Sequence, residues 1–132
     1  MAAHEMFAAD AASQALGIEL LAAEAGNATL RMRVIAAMVN GHDIAHGGYV
    51  FLLADSAFAC ACNSHGPVTV AAAADITFVA PARVGDELVA EATERTRFGR
   101  TGIYDVTVFR DAAGERTVIA EFRGTSRIVD RR

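Results

Sequence analysis

The chain has 132 residues, 53% hydrophobic and 21% charged, which is enough apolar material for one packed domain and too much for a disordered segment. Its formal charge of −4 argues against a nucleic-acid binder, which needs a basic face. No stretch reaches the roughly 20 apolar residues of a membrane span, and "MAAHEMFAAD" lacks the basic start and apolar run of a signal peptide, so a soluble cytoplasmic protein is expected.

Residues 5–15, "EMFAADAASQA", read as one short helix with Gly17 behind it as a stop signal. "IELLAAEAGNATLRMRVI" then reads as two strands about the turn "AGNA". In the second strand Leu30, Met32 and Val34 alternate with Arg31 and Arg33, the period of a half-buried strand. Residues 36–46 form a loop. A long apolar helix is expected from about 47 to 63, ended by Ser64, His65, Gly66 and Pro67.

Cys60 and Cys62 lie two apart on this helix, so they point away from each other and are expected as free, buried thiols. Four strands follow near 68–79, 86–98, 102–111 and 115–129. The breaks "PARVGD", "GRTG" and "DAAGE" each carry glycine and suit antiparallel neighbours, so the four read as a meander. The central helix is apolar on nearly every side and should be enclosed by the sheet. The expected class is α+β: an antiparallel sheet wrapped around one long central helix, the layout called the hotdog fold. Its exposed sheet edges and helix ends make oligomers the expected form.

One acid interrupts the helix. Asp55 has Phe51, Leu52, Phe58 and Ala59 at its i±3 and i±4 positions, an apolar face on which an unpaired carboxylate is costly. It could lie on a wet face, form an ion pair with an arginine, or be a base whose pKa its surroundings raise. Gly47 and Gly48 open the helix, where backbone N–H groups lack intrahelical partners and the macrodipole is positive. Without a Cβ, a carbonyl gathering negative charge can approach those groups closely. Eight residues separate Gly47 from Asp55, about 12 Å along a helix. One reacting centre needs both its oxyanion donor and its base within ~3 Å. If both act, they come from different subunits, through antiparallel helices at a two-fold interface.

"NGHDIAHGGYVFLLADSAFACACNSHG", "FVAPARVGDEL", "GRTGIYDVTV" and "FRGTSRI" together resemble the hotdog-fold acyl-CoA thioesterases, and among them the thioesterases of phenylacetic acid degradation. The likeness covers nearly the whole chain and implies a single hotdog domain over residues 1–132. It implies that the Gly47 N–H holds the thioester carbonyl, that Asp55 is general base or nucleophile, and that Asn40 assists as a polar amide ahead of His46. His46 is read as positioning the loop or the Gly47–Gly48 pair. Dimers paired into tetramers, with sites at subunit interfaces, follow from the same resemblance.

The substrate so implied is an acyl-CoA, phenylacetyl or ring-hydroxylated phenylacetyl. Coenzyme A carries phosphates, and all twelve basic residues here are arginine. Arg100 with Thr101, then Arg83, are the candidates for meeting them, though each also suits a solvated turn. No metal or cofactor is required. His42, Asp43 and His46 fit no zinc spacing, and His4 and His65 are set aside as incidental. Two departures stand out: Ala59 replaces the Thr that some relatives carry one turn after the acid, and residues 71–74 are all alanine where others have a strand Ser. The rivals are a hotdog hydratase or dehydratase acting on acyl thioesters, and a non-catalytic acyl-CoA-binding module.

Overall fold

The computed structural model describes residues 2–129. Two short helices, α1 (Ala2–Ala8) and α2 (Ala11–Ala15), precede strands β1 (Glu19–Glu24) and β2 (Asn27–Arg33). The long helix α3 (Gly47–Asn63) follows, then β3 (Thr69–Phe78), β4 (Glu87–Phe98), β5 (Thr101–Ala112) and β6 (Glu115–Ile128). The single N-terminal helix expected over 5–15 is broken at Ala9–Asp10. Asp10 leaves helical geometry to cap α2, accepting a hydrogen bond from the Ser13 N–H at 3.0 Å.

All six strands join one antiparallel sheet in the order β1-β2-β4-β5-β6-β3, the arrangement of the hotdog fold. The β1–β2 and β5–β6 hairpins turn through Ala25–Gly26 and Ala113–Gly114, each pair with both residues at positive φ, as the twist of a tight hairpin requires. The expected four-strand meander is corrected to three. β3 pairs with β6 at the far edge, and residues 79–86 cross back to β4, which lies beside β2. Hydrogen bonds pin that crossing at several points: Val79 N–H donates to Ile119 O, Ala45 N–H to Ala82 O, and Gly85 N–H to Val34 O. "PARVGD" is therefore a crossover held against the N-terminal end of α3 and not a hairpin turn.

Alternation along the strands builds the core. Leu30 and Met32 of β2, Leu88, Ala90 and Ala92 of β4, and Tyr104, Val106 and Val108 of β5 are buried against Leu53, Ala57, Phe58 and Cys60 of α3. The Phe58 ring packs 5.6 Å from Tyr104 and 5.8 Å from Phe122, centroid to centroid. Enclosure of α3 is incomplete, however. Gly48, Phe51, Leu52, Asp55 and Ala59 form one stripe that the sheet and α1 leave partly open. Beside it runs the unpaired edge of β3, exposed from Val70 to Asp75, with Phe78 53% exposed. Ile76 and Phe78 share the inward face, since they stand opposite Phe122 and Ala120 of β6.

Candidate active site

The start of α3 is set by His46. Its backbone N–H donates to Met38 O at 2.7 Å, anchoring the loop, and its Nδ1 accepts the Gly48 N–H at 3.0 Å. With Nδ1 an acceptor, the neutral ring carries its proton on Nε2. The cap therefore takes the Gly48 N–H and leaves the Gly47 N–H, for which the described residues offer no acceptor. Asn40 braces the preceding loop: its Oδ1 accepts the His42 N–H at 2.9 Å and the Ile44 N–H at 3.4 Å. The Nδ2 group of Asn40 has no partner among the described residues.

A pocket of about 480 Å³ opens at this end of the helix, lined mainly by apolar side chains including Val50, Phe78, Pro81 and Ile119, together with Asn40 and Gly47. Phe78 crowds Gly47 so closely that a Cβ there would lie 2.9 Å from the ring Cζ. Glycine at 47 thus keeps the ring against the backbone. The site combines the positive end of a 17-residue helix, an N–H without an acceptor and an apolar cavity. That combination suits a polarised carbonyl carrying an apolar group.

Asp55 lies two turns further along, on the open stripe, and no ion pair reaches it among the described residues. The ion-pair reading is set aside for this chain by itself. Burial raises its carboxyl above the usual range, and the negative charge of Asp10 raises it further. Gly47 and Asp55 are held apart by the helix between them, so the single chain does not bring them to one carbonyl.

The arginines separate in the same way. Arg83 sits at the Gly47 end, its Nη1 3.5 Å from Asp43 O and its N–H donating to Asp86 Oδ2 at 2.8 Å. Arg100 and Thr101 line a different pocket, about 300 Å³, at the C-terminal end of α3 with His65, Thr69 and Arg97. Arg100 Nε donates to Ile128 O at 3.2 Å.

Sequence reasoning missed a cluster beside that second pocket. His65 Nε2 lies 2.6 Å from Glu94 Oε1, the buried Tyr104 hydroxyl donates to the same oxygen at 3.0 Å, and Arg97 Nε is 3.5 Å away. Burial pushes the Glu94 carboxyl up, but the His65 and Tyr104 hydrogen bonds, with the charges of His65 and Arg97, outweigh it and hold it below the ordinary range. The signal was present: Glu94 continues the inward series Leu88, Ala90, Ala92, where an acid is unexpected, and a bulge follows at Glu94–Thr96. Cys60 and Cys62 are buried free thiols, each pushed up to about 12 by burial. Among the described residues no group of three or more His, Cys, Asp and Glu is placed to hold a metal ion.

Comparison with known proteins agrees with the fold. Residues 42–116 match the model of the thioesterase superfamily, and the chain belongs to that family: it is a hotdog-fold thioesterase. Within it, the chain is 44% identical over 124 residues to the acyl-coenzyme A thioesterase PaaI of Escherichia coli K12, covering 94% of this chain and 86% of that one. The structure of E. coli PaaI, a protein of the phenylacetic acid degradation operon, superposes with a TM-score of 0.93 at 42% identity over 98% of this chain and 91% of that one. A mutant structure of the phenylacetic acid degradation protein PaaI from Thermus thermophilus matches with a TM-score of 0.84 at 35% identity, covering 91% of this chain and all of that one, 100%.

Proposed function

We propose that the enzyme hydrolyses acyl-CoA thioesters, phenylacetyl-CoA or its ring-hydroxylated forms, to the free acid and coenzyme A. The reading is carried by the Gly47 N–H, left without an acceptor by the His46 cap at the positive end of α3 and facing an apolar pocket. The thioester carbonyl accepts that N–H, and the charge developing on its oxygen is held there. Asp55 then removes a proton from the attacking water, or attacks the carbonyl itself to give an anhydride that water cleaves, and the thiolate of coenzyme A departs. A raised carboxyl suits the first route, because its proton affinity moves toward the working pH. The aryl-acetyl group rests on the likeness to PaaI.

The site is completed by a second copy. The open stripe of Phe51, Leu52, Asp55 and Ala59 beside the unpaired β3 edge is the surface a partner chain would cover. Antiparallel placement of two α3 helices brings Gly47 of one protomer toward Asp55 of the other. The same placement brings Arg100 and Thr101 of one protomer toward the Gly47 end of its partner, where Arg83 also lies, so that both can meet the phosphates of coenzyme A. Dimers of this kind pair into a tetramer, and the enzyme works in the cytoplasm. Among the described residues no helix is long and apolar enough to cross a membrane.

The test is hydrolysis across phenylacetyl-, hydroxyphenylacetyl-, benzoyl- and aliphatic CoA esters, followed by free thiol, with the oligomeric state measured by light scattering. Release of thiol, fastest from the aryl-acetyl esters and from a dimer or larger, is expected. Water addition to an enoyl-CoA without thiol release would establish the hydratase instead.

A further inference from the structure

The N-terminal helices pack across α3, and the contact is polar where it is most buried. Ser13 of α2 is 1% exposed and its hydroxyl lies 2.8 Å from the Ser56 hydroxyl, itself 7% exposed and next in sequence to Asp55. Ser13 Oγ donates its one proton to Asp10 Oδ2 at 2.6 Å, so Ser56 donates to Ser13, and the chain runs from Ser56 through Ser13 to Asp10. The Ser13 N–H fixes the other carboxylate oxygen of Asp10 at 3.0 Å. Two buried hydroxyls thus tie a half-exposed carboxylate to the residue adjoining Asp55. A buried hydroxyl pair is costly unless its geometry is satisfied, so the contact sets one register of the arm on the helix.

Resting on the assignment of Asp55 to the reaction, we propose that Asp10 is a positioning residue for it, held beside α3 by the Ser13–Ser56 bond and acting through its negative charge. Burial raises the Asp55 carboxyl first, and the negative charge of Asp10, held at α3 by the hydroxyl chain, raises it further. The other titratable neighbour is the Cys62 thiol of α3 itself, pushed up to about 12 and neutral at working pH. Among the described residues no arginine or histidine forms an ion pair with Asp55 that would offset Asp10. A negative neighbour makes the carboxylate harder to ionise and a stronger base once ionised. The N-terminal arm then serves the active site and is more than a cover for the core.

Asp10→Asn and Asp10→Ser both remove the charge while keeping a side chain that caps α2. Two measurements are made on each: the Asp55 carboxyl followed by carbon-13 NMR against pH, and the acid limb of kcat against pH. In both variants the Asp55 midpoint falls, on the order of threefold in proton affinity, and the acid limb moves to lower pH with it. Thermal melts confirm that the variants fold. Titration curves that coincide with wild type overturn the proposal, as does a limb that stays in place while the NMR midpoint moves. The two assignments fail separately. Full activity in Asp55→Asn removes Asp55 from the reaction, whereas the NMR titration of wild type against Asp10→Asn still reports whether Asp10 acts on it.

Discussion

Gly47→Ala separates the chemistry of the helix tip from its packing. The added methyl would stand 2.9 Å from Phe78 Cζ and 3.3 Å from Cε1 and Cε2, against an ordinary carbon–carbon contact of about 3.5–4.0 Å. Phe78 is 53% exposed and can swing away, at a rotamer cost of about 0.5–1.5 kcal/mol. Stability should therefore fall by about 0.5–1.5 kcal/mol, a few degrees in Tm for a chain of this size. The N–H survives, so the loss stops short of the hundredfold or more seen when an oxyanion donor is deleted. Crowding of the carbonyl should still lower kcat/KM by about ten- to a hundredfold, or roughly 1.4–2.7 kcal/mol.

Gly124→Ala is the control, because the same methyl meets a different ring. There it would lie 2.8 Å from Phe58 Cε2 and Cζ, but Phe58 is 1% exposed and wedged between Tyr104 and Phe122. With no room to retreat, that variant should lose about 1–3 kcal/mol of stability. Thiol release from phenylacetyl-CoA and thermal melts at matched protein concentration read both effects. Wild-type kcat/KM in Gly47→Ala would take its N–H out of the reaction. A melt as damaged as that of Gly124→Ala would show that Phe78 is not free to move.

Asp55→Asn should lower kcat by about a hundredfold or more while raising Tm at pH 8. Its folded carboxyl is raised, so the charge costs stability above that folded value. The gain should shrink as pH falls through it and vanish below the unfolded one, which melts across pH will check. His46→Leu removes the Nδ1 acceptor and should cost about 1 kcal/mol together with activity, whereas His46→Asn, which can still cap, should retain most of the stability in urea titrations. Glu94→Ala strands the buried Tyr104 hydroxyl and should cost about 1–3 kcal/mol at neutral pH. Glu94 is held low, so the part of its contribution that depends on ionisation is present above the unfolded carboxylate value and lost as pH falls through the folded one. The gap between wild-type and variant urea midpoints should narrow there, leaving the part due to the stranded hydroxyl. Cys60 and Cys62 should not react with a disulfide reagent until the protein is unfolded, leaving thiol-release assays free of protein background.

Local chemistry made much of this protein readable in its sequence. The span of α3 follows from the glycine pair at 47–48, an apolar run interrupted chiefly by one acid, and the stop at Ser64–Pro67. Alternation in β2 named the buried Leu30 and Met32 because strand periodicity acts within a few residues. The glycine pair and the lone acid were visible for the same reason: a helix tip and a carboxylate among apolar neighbours carry their meaning locally.

Other features depended on what is far apart in sequence. Only the tertiary structure decided that β3 leaves its chain neighbour β4 to pair with β6, because edge choice is set by which strand closes the sheet over α3. It also left the stripe around Asp55 open, where a helix apolar on nearly all sides had promised enclosure. The Asp10–Ser13–Ser56 chain depends on a contact spanning 43 residues. Which glycine N–H remains available was settled by one ring nitrogen, since His46 can cap only one of the two.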